Sequence, residues 1–187
     1  GEKSSLPLRW AGLLDLYHTE FHSVTAIQRA IVQGLDPAGE YFQRYTQAQE
    51  RFEQLLAEGL VGPVIEGERQ KLNNIFFEEY RFLARKYRPV IAFDTLESLT
   101  HESDWVEGLC SLDSTPIASR DWIIRHVSRL ENSVILMAGR PQPVFQKALE
   151  KANKAYPGQL EIIELRGLTR EDTRQLLAML LKGMPAA

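Results

Sequence analysis

The chain has 187 residues, of which 44% are hydrophobic and 25% charged, a balance that is typical of folded globular domains and argues against a disordered chain. Its net charge of −3 argues against nucleic acid as the main partner, because phosphate binding needs clustered positive charge. No apolar run reaches the roughly 18 residues that cross a membrane. The single cysteine, Cys110, cannot form an intrachain disulfide, so we expect a protein of the reducing cytoplasm.

Four short apolar segments predict buried strands. They are Trp10–Tyr17, Pro89–Leu96, Ser133–Gly139 and Leu160–Leu165. The middle two are almost continuously apolar, as strands are when helices cover both faces of a parallel sheet.

Helical periodicity fills the segments between these strands. We expect a helix capped by Ser23 that buries Val24, Ile27, Ile31 and Leu35, helices at about Glu40–Glu58, Glu66–Tyr87, Ser119–Leu130 and Pro143–Lys154, and a last helix from Thr169 that buries Leu176, Leu177 and Leu180. The last helix begins with Thr169-Arg170-Glu171-Asp172, which resembles a capping box with Asp in place of Glu.

The alternation of strands and helices predicts an α/β fold. We expect an open, doubly wound and mostly parallel sheet of about four strands in three layers, built from right-handed βαβ units. The helical pair at about residues 40–87 is expected to form an excursion at the sheet edge. Ligands of such sheets bind at the carboxyl ends of the strands, so that edge is where we look for a site.

The strongest chemical signal is the segment VIAFDTLE, residues 90–97. Four apolar residues end in Asp94, and a second carboxylate, Glu97, follows three residues later. A carboxylate at the end of a buried strand is costly unless it has a hydrogen-bond or metal partner. A Walker B strand has this form, and its Asp holds a water of a Mg²⁺ ion. The alternative is a strand-end Asp that caps the next turn.

A cation follows another predicted strand, in the segment ILMAGRP, residues 135–141. Arg140 in this position can reach an anionic ligand at the carboxyl edge of the sheet. The alternative is an ordinary surface arginine. If both strands lie in one parallel sheet, Asp94 and Arg140 face the same crevice.

Two other groups of residues are weaker candidates. His18, Glu20 and His22 form an H-x-E-x-H run, which would place three metal ligands on one face of an extended strand. A polar loop leading into the Ser23 cap explains the same run. Asp104, Trp105 and Asp113 are expected to lie in a loop, in which Trp105 is a packing residue and not a ligand.

The order of WAGLLDLYHTE, VIAFDTLESL, SVILMAGRP and LEIIELRGLTREDTRQLL resembles the signal-transducing P-loop ATPases with numerous domains, the STAND ATPases, which are relatives of AAA+ proteins. The resemblance covers about Trp10–Leu181. It implies that Asp94 is the Walker B acid for Mg²⁺, that Glu97 is an additional acid near the reaction, and that Arg140 is the sensor arginine for the γ-phosphate of ATP. It also implies that residues 1–168 are a partial P-loop core and that residues 169–187 begin a helical lid.

The chain departs from that family in three respects. The Walker A motif GxxxxGK[ST] is absent, and Lys3 and Ser4 are better explained as linker because the strand from Trp10 leaves no room for the helix that follows a phosphate loop. Thr95 stands where many relatives carry a second acid. Gly183-Met184-Pro185 is similar to a lid motif but comes too soon after the last helix.

Because the chain starts at Gly1 and its first methionine is Met137, we expect the natural protein to carry further sequence upstream.

Two interpretations follow. In the first, the chain is a fragment of an ATP-binding switch whose parent binds ATP or ADP with Mg²⁺ and communicates with other domains, and the fragment alone is inactive. In the second, it is a non-enzymatic α/β interaction module with a degenerate nucleotide site. A metal hydrolase using His18, Glu20 and His22 is a third possibility. Since the phosphate-loop strand is central in the resembled fold, its omission should expose apolar surface, and we expect the chain to dimerise, exchange strands or pair with a missing segment.

Overall fold

The computed structural model describes residues 6–100, 116–155, 157–165, 167 and 169–182. Its strands are β1 Leu8–Asp15, β2 Arg88–Asp94 and β3 Val134–Met137, and its α-helices are α1 Val24–Leu35, α2 Gln43–Ala57, α3 Pro63–Ala84, α4 Pro116–His126, α5 Pro143–Ala155 and α6 Arg170–Lys182. Short 3₁₀ turns lie at Thr19–His22, Leu96–Thr100 and Val127–Arg129. Within these ranges, no helix is long and apolar enough to cross a membrane. The chain forms two compact units, Gly1–Ala148 and Leu149–Ala187.

The three strands form one parallel sheet in the order β1-β2-β3. The helices α1, α2 and α3 connect β1 to β2, and α4 lies between β2 and β3 in the chain. The predicted α/β class and the parallel pairing are therefore confirmed. The strand β2 is central, and its near-continuous apolar sequence fits a strand that has a neighbour on each side.

The predicted fourth strand, Leu160–Leu165, is not confirmed. This segment is irregular, and Ile162, Ile163 and Leu165 are 67%, 72% and 90% exposed. A β-strand needs a neighbouring strand for its N–H and C=O groups, and none of the described residues supplies one here. Apolar composition alone therefore does not make this segment a strand.

The core of the first unit lies on one face of the sheet. Inward side chains of the sheet such as Leu14, Ile91 and Phe93 are buried there and belong to one cluster with residues of α1, α3 and α4. On the opposite face Trp10 and Leu136 are both 52% exposed. Within the first unit, the described helices thus form one layer on the sheet, where the sequence predicted helices on both faces.

The helix α1 is seated closely on β1 because of Gly34. The pairing of Trp10 with Val90 and of Leu13 with Ala92 leaves one extra residue in β1, which is a β-bulge. A Cβ atom at Gly34 would lie 1.8 Å from the carbonyl oxygen of Ala11 in this bulge. The bulge and the glycine together allow the helix to approach the strand backbone. Ser23 precedes α1 as predicted, but its side chain makes no cap hydrogen bond.

Two buried carboxylates organise the helical pair α2 and α3. Glu79 of α3, 6% exposed, accepts hydrogen bonds from the backbone N–H groups of Arg44 (3.1 Å) and Tyr45 (2.9 Å), and so caps the beginning of α2. Asp36, which follows α1, is 4% exposed and accepts from the N–H groups of Glu40, Tyr41 and Phe42. Each carboxylate is stabilised by several donors, which offsets the cost of its burial.

Aromatic side chains connect α2, α3 and α4. The ring of Phe76 lies 5.7 Å from Tyr45 and 6.1 Å from Trp122, centroid to centroid. Asn73 of α3 accepts hydrogen bonds at its Oδ1 from Gln28 of α1 and from the indole of Trp122 of α4, both at 2.9 Å. The Asn73 amide therefore joins three helices over the sheet.

The second unit ends in α6, whose predicted capping box is confirmed. The hydroxyl of Thr169 accepts from the N–H of Asp172 at 3.1 Å, and the Asp172 carboxylate accepts from the N–H of Thr169 at 3.3 Å. The predicted burial of Leu176 and Leu177 is wrong, since they are 46% and 52% exposed. A leucine stripe is buried only where another element packs on it. The side chain of Leu180 lies outside the described residues.

We predict that Gly34→Ala lowers the free energy of unfolding by about 3 kcal/mol or more, because the new Cβ would overlap backbone that cannot rotate away. Gly67→Ala in α3 is the matched control, since its Cβ would meet no atom within 4 Å. That control should raise the free energy of unfolding by about 0.5–1 kcal/mol. Urea unfolding followed by circular dichroism measures both, and an equal response of the two variants would contradict the close contact.

Candidate functional site at the carboxyl edge of the sheet

The carboxyl ends of all three strands meet at one edge. Asp15 ends β1 and is the register partner of Asp94, which ends β2. Phe93 pairs with Met137, so that Arg140 follows β3 a few residues beyond the same edge. The structure therefore places Asp94 and Arg140 after neighbouring parallel strands.

Thr95 links the ends of β1 and β2. Its hydroxyl donates to Asp15 Oδ1 at 3.0 Å, and its backbone N–H donates to Asp94 Oδ1 at 2.7 Å. Its φ of 58° lies in the left-handed region, which is uncommon for a β-branched residue. The backbone N–H of Leu16 also donates to the carbonyl of Asp94 at 3.1 Å. These bonds hold both carboxylates beside one turn.

Glu97 holds the loop that follows β3. Its Oε2 accepts the backbone N–H of Arg140 at 2.9 Å, and its Oε1 lies 3.6 Å from Arg140 Nε. The Glu97 side chain is 18% exposed, whereas that of Arg140 is 86% exposed. Gly139 permits this approach, because a Cβ there would lie 2.9 Å from Glu97 Oε2. The guanidinium of Arg140 therefore stands at the rim, in weak contact with one acid and open to solvent.

Asp15 is a site residue that the sequence reasoning missed. The segment LLD before it repeats the apolar-run-plus-Asp signal of Asp94, and that repetition could have identified it. The backbone N–H of Tyr17 and then the Thr95 hydroxyl lower the pKa of Asp15 below its usual value of 3.8, with a smaller contribution from His18. The carboxylate form is thereby favoured at the sheet edge.

The H-x-E-x-H run does not form a metal site. Its residues lie in or beside a 3₁₀ turn instead of an extended strand, and His22 Nε2 lies 3.2 Å from the carbonyl of Leu16. His18 Nε2 lies 3.7 Å from Asp15 Oδ2. No group of three or more His, Cys, Asp or Glu side chains in the described part of the chain could hold a metal ion. The geometry gives no support to a metal hydrolase.

The donor set at the edge suits Mg²⁺ that is shared with a phosphate. Mg²⁺ commonly keeps several waters and takes one or two carboxylates together with phosphate oxygens. Asp15 and Asp94 supply two carboxylates at paired positions, and Asp94 Oδ2 accepts no hydrogen bond from any residue that the structure describes. An exposed arginine stands beyond the next strand. No GxxxxGK[ST] segment is present to cradle a triphosphate.

Several residues named from the sequence lie outside the described residues. They are Lys3, Ser4, Asp104, Trp105, Cys110, Asp113 and the segment Gly183-Met184-Pro185.

Comparison of the chain with models of protein families, with curated proteins and with solved structures gave no significant match.

We predict that Glu97→Ala lowers the free energy of unfolding by about 0.5–1.5 kcal/mol, because the backbone N–H of Arg140, in an exposed hydrogen bond, loses its carboxylate acceptor. Glu97→Gln keeps an acceptor oxygen and should cost less. Glu150→Ala, an exposed acid on α5, is the control and should change little. Urea unfolding tests this order, and equal losses for Glu97→Ala and Glu97→Gln would contradict it.

We predict that the Asp15 carboxyl titrates below pH 3.8 in the folded chain. Because the pKa is lower when folded, this group stabilises the fold at neutral pH, and that contribution is lost as the pH falls through the lowered pKa. Thr95→Val removes one donor and should raise the Asp15 pKa, whereas Thr46→Val in α2 should leave it unchanged. NMR titration of the Asp15 carboxyl measures its pKa in the parent chain and in both variants. A titration midpoint of Asp15 at or above pH 3.8 in the parent chain would refute the prediction.

Proposed function

We propose that the chain is the Walker B and sensor part of an ATP-binding, signal-transducing switch domain of the STAND type. One observation carries the proposal: Asp94 and Arg140 follow neighbouring strands of a parallel sheet and reach the same edge, with Asp15 and Glu97 beside them. The order and spacing of these residues are also those of the motifs on which the resemblance rests.

Each residue has a role in this proposal. Asp94 would hold Mg²⁺ through a water molecule, and Asp15 would provide a second carboxylate at the paired position. Mg²⁺ would neutralise charge on the phosphates of the nucleotide. Arg140 approaches the γ-phosphate, and an anionic ligand competes with Glu97 for its guanidinium. Glu97 would serve as the additional acid near the reacting phosphate, while its Oε2 still accepts the backbone N–H of Arg140.

The residues present predict weak binding and no turnover. A phosphate loop contributes a cluster of backbone N–H groups and a lysine, and the sequence lacks this motif. The parent protein would supply it, bind ATP or ADP in the cytoplasm, and pass the nucleotide state to its other domains through a lid that starts near Thr169.

The second candidate is a non-enzymatic α/β interaction module. It is favoured by the exposed apolar face of the sheet, where Trp10 is 52% and Leu13 60% exposed. It is also favoured by the contact between Glu97 and Arg140, in which the sensor arginine already has an acidic neighbour.

Titration calorimetry with ATP and Mg²⁺ tests the first proposal. We expect dissociation constants of about 1 mM, which correspond to about 4 kcal/mol of binding free energy. Asp94→Asn should abolish the dependence of ATP binding on Mg²⁺. Arg140→Ala should weaken the binding of ATP more than the binding of AMP, which lacks the γ-phosphate. Arg125→Ala, an exposed arginine on α4, is the control and should bind as the parent chain does.

Two outcomes would contradict the proposal. Binding that is equally strong in the Asp94 and Arg140 variants would place the nucleotide elsewhere. Micromolar, Mg²⁺-dependent binding by this chain would show that the phosphates are held without the phosphate loop. An absence of any binding at millimolar nucleotide would favour the interaction module.

A further inference from the structure

One face of the sheet carries an exposed apolar patch, which we call the outer face. It consists of Leu8 (70% exposed), Trp10 (52%) and Leu13 (60%) on β1 and of Val134 (41%) and Leu136 (52%) on β3, with Val90 and Ala92 of β2 between them. The register places these residues side by side, since Trp10 pairs with Val90, which pairs with Val134, and Leu13 pairs with Ala92, which pairs with Leu136.

The outer face is as large as the largest apolar patch of a typical monomer. Parallel sheets are nearly always covered on both faces. The exposed parts of its five large residues amount to about 500 Å², within the about 300–600 Å² of such patches, which are often functional. Two such faces packed together would bury about 1,000 Å², the lower limit for a specific interface.

The outer face carries opposite charges at its two ends, so the outer faces of two copies can be electrostatically complementary. Side chains alternate along a strand, so Arg88, Val90, Ala92 and Asp94 of β2 share this face. Arg88 stands at its amino end, whereas Asp94 and its register partner Asp15 stand at its carboxyl end. A two-fold axis between the two sheets and perpendicular to the strands brings the cationic end of each copy against the acidic end of the other.

We propose that the outer face is the interface of a symmetric homodimer in which two sheets pack face to face with antiparallel strands. Two copies bury Trp10, Leu13 and Leu136 in a shared apolar layer, as in an aligned packing of two sheets. The residues of each copy meet the equivalent surface of the other, so the contact closes on itself. This inference does not rest on nucleotide binding.

Light scattering and sedimentation velocity over a concentration series test the proposal on the full chain. The parent chain should be a dimer. Trp10→Lys and Leu136→Lys place a charge in the apolar layer twice per dimer, and each should raise the dimer dissociation constant at least about 100-fold. Val61→Lys is the control, because Val61 is an equally apolar and more exposed residue, 81%, between α2 and α3. That variant should dimerise as the parent does.

The charges test the antiparallel arrangement. Arg88→Glu should weaken the dimer by about two- to tenfold and Arg88→Lys should not, because rim ion pairs contribute little individually. Circular dichroism checks that each variant is folded. A monomer at all concentrations would overturn the proposal. So would a dimer that withstands Trp10→Lys and Leu136→Lys, since it would then form through strand edges or another surface. No effect of Arg88→Glu would overturn the antiparallel arrangement.

Discussion

The parallel hydrogen bonding of β2 to both of its neighbours is the constraint on which the candidate site depends. It sets Asp15 opposite Asp94 on one side and Phe93 opposite Met137 on the other. The backbone hydrogen bonding continues beyond the strands. The N–H of Ala138 donates to the carbonyl oxygen of Phe93 at 2.8 Å, and the N–H of Leu96 donates to the carbonyl oxygen of Ala138 at 3.2 Å. The loops after β2 and β3 therefore remain in register, which brings Glu97 within reach of Arg140.

The helical layer supports that register from one side only. The helix α1 packs closely on β1 at Gly34, which contacts the backbone of Ala11. The side-chain amide of Asn73 links α1, α3 and α4 by hydrogen bonds above the sheet. Within the described residues of the first unit, the other face has no such layer, and its apolar side chains are exposed. The same sheet thus has a polar edge, formed by the residues that end its strands, and an exposed apolar face.

Much of this fold could be predicted from the sequence, because continuous apolar runs and 3.6-residue periodicity directly reflect burial. The runs at 89–96 and 133–139 predict the two strands that end at Asp94 and Met137, two residues earlier in each case, and parallel pairing predicts their shared edge. The segment 160–165 has the apolar character of a strand but is irregular, and Leu176 and Leu177 form a stripe on α6 that is about half exposed. The pattern of apolar residues in a segment indicates which face the segment can bury. Whether that face is buried depends on another element that packs against it.

Contacts between residues distant in the sequence could not be predicted. Glu79 caps a helix that begins more than thirty residues earlier, and Glu97 binds the backbone N–H at Arg140 across 43 residues. Such pairs leave no periodic signal, since a single acid on a helix or in a loop is most often solvated. Asp15 differs, because it follows an apolar run in the same way as Asp94 and therefore carries a signal in the sequence.

Paramagnetic relaxation with Mn²⁺ in place of Mg²⁺ tests most directly whether the sheet edge is a nucleotide site. Manganese broadens NMR signals of nearby protons, so a complex with ATP marks where the metal lies. If Asp15, Asp94 and Arg140 form one site, the amides of Leu16, Thr95 and Arg140 broaden first as Mn²⁺ and ATP are added together. Broadening centred on any other part of the chain, with these three amides unaffected, would contradict the account.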